Sequence, residues 1–320
     1  MKGTDVAVWQ WLIEPFTLPF MARALIVLVM LGLAAGVLGP LVHLRRLEFL
    51  SDGLVHAVFP GVVVGFVIAG SPGLFIGGAI AAVIAAVALT LVSRRGEPGD
   101  VPVAVVLTSM FSIGVIIVSQ QRGYAGQLSE LLFGHVLTVT ETDVWATGIL
   151  VALALLLVLP ALKEQVFRAF DPQAAEAAGY RLLPLDLLLN VAIALVVVAA
   201  SRALGVLLML ALLIVPVAVA RLLTGTIGAL IAGATLAALL GAWLGLAVTF
   251  VGSVHAGFDL PGSATVVLVL LVLLGVALAA YGIRRWWVRG TRGGRGAAAP
   301  PPVSDWERLD APIADRGARA

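Results

Sequence analysis

The chain predicts an all-α polytopic membrane protein of about nine transmembrane helices, and three observations carry that expectation. Its 320 residues are 61% hydrophobic and only 12% charged, where a soluble domain is about half apolar and about a quarter charged. The apolar residues gather into runs close to the roughly 20 residues that a helix needs to span a bilayer. Basic residues, three times as an arginine pair, punctuate every second break between those runs. With a mean hydropathy of +1.10, no length is left for a separate soluble catalytic domain. The formal charge of +2 is too small for a nucleic-acid surface, and the absence of cysteine excludes disulfides, thiolate metal sites and iron–sulfur clusters.

Residues 1–17 contain tryptophan, glutamate and proline with a single lysine, so they read as an extracytoplasmic N-terminal segment rather than a cleavable signal peptide. Nine runs follow, at about 18–42, 49–70, 73–93, 102–119, 144–162, 183–200, 203–220, 226–251 and 264–283. Arg45-Arg46, Arg94-Arg95, the group Lys163, Arg168 and Arg181, then Arg221, then Arg284-Arg285 follow alternate runs and so fall on one side. Cytoplasmic loops are enriched in Lys and Arg. Placing these residues inside puts sixteen of the twenty basic residues there, leaving only Lys2, Arg23, Arg122 and Arg202 outside. The N-terminus is then outside and the C-terminus cytoplasmic. The membrane domain covers 18–289. Residues 290–320, rich in Gly, Ala, Pro and Arg, read as a disordered cytoplasmic tail whose basic half suits anionic lipid.

Small residues four apart, at Gly32/Gly36, Gly61/Gly65 and Gly241/Gly245, let helices approach closely and predict packing seams. Enzyme signatures are missing: there is no His-Glu-x-x-His, no Gly-x-Ser-x-Gly and no Gly-x-x-x-x-Gly-Lys-Ser/Thr. The chain is therefore expected to be a non-enzyme, binding no ATP and no resident cofactor of its own. Any energised transport would borrow a partner's ATP.

Chemistry concentrates in the second run. Asp52 and His56 are four residues apart in an oily segment, so a helix places them on one face, one turn apart. Ionisable groups at membrane depth are expensive and tend to mark ion pathways. A hard oxygen ligand beside an imidazole suits manganese, zinc or ferrous iron. Counting a rise of ~1.5 Å per residue from Arg46 puts His56 about 15 Å into the membrane. A capping role for Asp52 at the helix start is the plainer alternative. Asp186 reads as a helix-start residue of the sixth run, and no role is assigned to His43.

Between the fifth and sixth runs, Asp171-Pro-Gln-Ala-Ala-Glu-Ala-Ala-Gly179 predicts a two-turn helix. Asp171 caps it, Pro172 takes the first position and Gly179 closes it. Such a helix, lying on the cytoplasmic surface, can dock in a partner's groove or simply connect two spans.

Taken in order, these features resemble the permease subunits of the metal-ion ABC importers, which carry manganese, zinc or iron. The matching blocks include Leu44-Arg-Arg-Leu-Glu-Phe-Leu50, Asp52 with His56-Ala-Val-Phe-Pro-Gly61, Leu132-Phe-Gly-His135 and Phe170-Asp-Pro172. Ala211-Leu-Leu-Ile-Val-Pro216 and Asp259-Leu-Pro-Gly-Ser-Ala264 complete them. They run across nearly the whole membrane domain, and the His-Ala-x-x-Pro-Gly and Ala-Leu-Leu-Ile-x-Pro blocks together are fairly specific.

The resemblance implies a homodimer of permeases in the cell membrane with the path at or near the two-fold axis. It further implies two cytoplasmic ATPase subunits docked through the 170–180 helix, with Phe170, Asp171, Glu176 and Gly179 in the contact. An extracytoplasmic metal-binding protein would deliver the ion. Asp52, His56 and Asp259 fall on the family's polar positions, with His255 as an additional ligand. Three departures stand out: Val55 replaces a common serine, His135 a common Asn or Ser, and His255 a common tyrosine. Asp259 reads alternatively as a turn residue, and His135 and His255 as loop histidines. Because Asp259 falls at the outer mouth, the expectation is two stations: Asp259 with His255 outside, then Asp52 and His56 along the path. The rivals are an ion-coupled secondary carrier with an Asp/His proton relay, and an ABC permease for metal chelates, which would want a ligand-poor cavity.

Overall fold

A computed structural model describes residues 13–95, 101–119, 134, 136–255 and 260–292. After a short 3-10 turn at Glu14–Thr17 come α1 (Pro19–Arg45), α2 (Glu48–Gly70), α3 (Gly73–Arg94) and α4 (Val101–Ser119). A second 3-10 turn at Val136–Thr138 precedes α5 (Glu141–Val158), α6 (Leu162–Phe170) and α7 (Pro172–Ala177). The chain continues through α8 (Leu182–Ala203), α9 (Gly205–Leu223), α10 (Ile227–His255) and α11 (Gly262–Arg292). Among the described residues there is no strand. Seven of these helices are long and apolar enough to cross a membrane, and α4 and α9 are shorter apolar helices, so all nine expected runs are helical.

Residues 1–278 form one compact unit and residues 279–320 a second, described only where α11 continues to Arg292. The disordered tail expected at 290–320 begins inside that helix, and its part beyond Arg292 lies outside the described residues.

Within the first unit α1 is the central helix. Leu28, Leu31, Ala34 and Leu38 are wholly buried on it, and it packs on α5, α9 and α10. A helix apolar on every face fits a position enclosed by other helices. Helix α8 is almost as enclosed, with Leu189, Ile193, Val196 and Ala199 buried where it packs on the α2–α3 hairpin and α5.

The three small-residue seams hold helices together as expected. A Cβ at Gly36 would run into Thr235 of α10, and one at Gly245 into Val266 of α11. Gly61 and Gly65 bring α2 against α3 at Gly73, Gly77 and Ala81 with almost no side chain between the backbones. With no hydrophobic drive between helices in lipid, such close van der Waals contact is the main source of association. The α2–α3 reversal needs Gly70 at φ +65°, ψ −147°, a conformation reserved for glycine. That turn fixes α2 as one leg of a tight hairpin.

Three boundaries differ most from expectation, the first being α11, which runs nine residues past 283 to Arg292. The fifth span is Glu141–Val158, earlier than 144–162, because Thr140 and Asp143 form a capping box that starts the helix upstream. Helix α10 runs four residues past 251, so His255 closes a helix instead of sitting in a loop.

Candidate functional site

The pair in α2 is built by the helix itself. Arg46 adopts a left-handed conformation (φ 56°) that ends α1, and α2 restarts at Glu48. Asp52 therefore sits in the second turn, which removes the capping alternative. His56 is one turn further on, about 12 Å along the axis from Glu48. Its Nε2 lies 3.7 Å from Asp52 Oδ1, with the side chains 23% and 34% exposed respectively. Both groups thus look outward from the unit on one face, beside each other but not locked in a short hydrogen bond. Phe111 of α4 meets the imidazole edge to face at 5.2 Å and also contacts Phe59 at 5.6 Å, holding the ring from one side.

Two donors do not make a coordination sphere. Among the described residues no group of three or more His, Asp or Glu side chains converges on a point. Asp259 and His135 lie outside the described residues, and of His255 only the backbone position at the end of α10 is described. The outer station thus remains a sequence expectation, while Asp52 and His56 are brought together.

The 170–180 segment has the expected local structure. Asp171 Oδ1 accepts the Ala174 N–H at 2.9 Å, Pro172 occupies the first position, and Gly179 at φ +89° ends the helix. The Tyr180 N–H then donates to Ala175 O at 3.1 Å. Phe170, Asp171, Glu176 and Gly179 are all exposed. The preceding stretch, read as loop, is the amphipathic helix α6, with Leu162 and Val166 packed on the core and Lys163 exposed.

A polar cluster that the sequence reading passed over joins this segment to the spans. Asp186, near the start of α8 and 8% exposed, accepts from Arg45 of α1 at 3.0 Å and from Arg168 of α6 at 2.7 Å. Arg94 of α3 approaches it at 3.8 Å. Gln165, wholly buried, donates to Leu185 O at 2.9 Å and accepts from Arg45. Beside it His43 pairs with Glu48 at 3.0 Å and with Arg221 of α9. A lone carboxylate in Leu182-Leu-Pro-Leu-Asp-Leu-Leu-Leu189, facing arginine-rich breaks on the same side, was the available signal. Arg45, Arg94 and Arg168, which lie in separate breaks of the sequence, thus meet around Asp186.

Nine apolar helices among the described residues, a partly exposed ionisable pair on one of them and an arginine cluster around Asp186 define a polytopic membrane protein with ionisable groups on its spans. The model of the ABC 3 transport family matches residues 17–280, and the chain belongs to that family. It is similar to the manganese transport system membrane protein MntC of Listeria innocua, 32% identical over 259 residues, covering 81% of this chain and 89% of that one. MntC of Halalkalibacterium halodurans is 31% identical over 259 residues, covering 81% and 86%. Among solved structures, PsaBC from Streptococcus pneumoniae in complex with Fab superposes with a TM-score of 0.72 at 26% identity, covering 84% of this chain and 95% of that one. The family resemblance drawn from the motif blocks is borne out, and with it a multi-span location in the cell membrane.

Proposed function

We propose that this chain is the membrane-spanning subunit of an ABC importer for a divalent transition-metal ion, with manganese the first candidate and zinc and iron behind it. The observation that carries the proposal is the Asp52–His56 pair, 3.7 Å apart and open on one face of α2. A partly exposed carboxylate–imidazole pair with no third ligand among the described residues is an incomplete site. A second copy across a two-fold axis would double it to two carboxylates and two imidazoles. Such a ring replaces part of an ion's hydration shell without trapping it, which a conducting path requires. Relatives whose names specify manganese transport support that choice of substrate. Asp259 and His255 would receive the ion at the outer mouth.

Two cytoplasmic ATPases would bind against the exposed Phe170–Gly179 segment, and an extracytoplasmic binding protein would deliver the metal. The Asp186 cluster supports the coupling role, because it ties α6 to α1 and α8 through charged hydrogen bonds, with Arg94 of α3 at 3.8 Å. Movement of α6 and α7 would be passed directly to those spans. Membership of an ABC transport family leaves the ion-coupled carrier without support.

The test is reconstitution of the chain with its ATPase and binding protein in vesicles, followed by radioactive manganese accumulation. ATP-dependent inward movement of the free ion is expected. Transport that persists without the ATPase, or that requires a chelate, would overturn the proposal.

A further inference from the structure

A cavity of about 180 Å³ opens where α1, α3, α6 and α8 meet, lined by Arg45, Arg94, Arg168, Asp186, Ser93 and Asn190 among others. Three guanidinium groups face one carboxylate there, which leaves two positive charges in excess. Asp186 cannot satisfy all the donors. Arg45 has a side chain only 5% exposed, yet its Nε has no hydrogen-bond partner. Arg94, 37% exposed, reaches the carboxylate only at 3.8 Å, so its planar fork is largely uncommitted. Ser93, on the same turn and exposed, offers a hydroxyl. Asn190 Oδ1 is buried and unpartnered, while its amide donates to Thr90 at 2.8 Å.

Buried unpaired donors and surplus charge are costly in an empty pocket and are relieved by an anion with several acceptor oxygens. Arginine forks match the oxygens of phosphate in a way a point charge does not. The apolar runs of α1, α3 and α8 end at this level, and basic pockets between spans at the membrane surface recognise anionic headgroups. We propose that this pocket binds the phosphate group of an anionic phospholipid, pinning α3 to the α1–α6–α8 cluster. It involves neither Asp52 nor His56 and stands apart from the metal path.

Thermal unfolding of the purified full-length protein in detergent tests this, with added short-chain phosphatidylglycerol, phosphatidylcholine or inorganic phosphate at constant ionic strength. Phosphatidylglycerol is expected to raise the Tm saturably, and phosphatidylcholine far less. Arg94→Gln, at the exposed edge, should weaken the apparent affinity by about tenfold, the loss of one charge-assisted hydrogen-bond pair. Ser93→Glu should remove the response altogether while raising the Tm of the lipid-free protein, because its carboxylate would engage the same arginines. Saturable stabilisation by inorganic phosphate with the same variant dependence supports the pocket and identifies a free anion as its source. Equal responses to the two lipids, or variants that respond like wild type, overturn the proposal.

Discussion

Replacing Asp186 with asparagine isolates the charge at the centre of the arginine cluster while keeping its shape. The carboxylate is bonded to Arg45 at 3.0 Å and Arg168 at 2.7 Å, whose side chains are 5% and 20% exposed. Removing one partner of a buried pair costs about 3–5 kcal/mol, chiefly because the other charge is left uncompensated. Arg94, more exposed and at 3.8 Å, adds no more than a surface pair would, about 0–1 kcal/mol. Because the carbonyl oxygen of the substituted amide would still accept one guanidinium bond, the lower end applies, about 3 kcal/mol, or a fall in Tm of roughly 6–12 °C. Seven tryptophans make intrinsic fluorescence a convenient readout. Combining Asp186→Asn with Arg168→Gln removes one stranded charge, so the double variant should recover about 1 kcal/mol relative to the single one. An unchanged Tm in Asp186→Asn, or a double variant less stable than the single, would refute the assignment of Asp186 as the counter-ion that joins these helices.

Gly36→Val drives a branched side chain into Thr235 and should cost at least the about 1–3 kcal/mol typical of overpacking, read as a lower Tm. Asp171→Ala removes the α7 cap and Gly179→Ala forces a side chain to φ +89°, each worth about 1 kcal/mol locally. Neither should unfold the bundle, but both should weaken ATPase association in a pull-down, and full retention would argue against docking there. The chain has no cysteine, so Ala177→Cys on exposed α7 gives a clean topology probe. An impermeant thiol reagent should label it only after the cells are opened, whereas labelling of intact cells would invert the orientation.

Much of this architecture was legible because lipid imposes helix length and composition together. All nine apolar runs were found from those alone, and the glycine seams from their four-residue spacing. Cap chemistry located α7 within a residue, since Asp171, Pro172 and Gly179 each act through their own backbone. Boundaries set by distant or unusual contacts were less visible. Helix α6 was hidden because Leu162–Phe170 mixes charge with apolar residues and looks like loop until its Leu162 face meets the core. The Asp186 cluster depends on residues more than a hundred positions apart, such as Arg45 and Asp186, which no local pattern pairs. The pairing of Asp52 with His56 was readable because a helix fixes its own four-residue neighbours. Its exposure was not, because which face of α2 stays uncovered is decided by α3 and α4.

The central claim is that Asp52 and His56 form a waypoint for the metal. Its most direct measurement is radioactive manganese uptake by the reconstituted complex, comparing wild type with His56→Ala and Asp52→Asn at matched assembly and ATP supply. Both positions are partly exposed, and the one ring contact that His56→Ala gives up is with Phe111, so the variants should assemble normally and lose most uptake. Uptake at wild-type rates in both would contradict the claim and leave only the helical architecture standing.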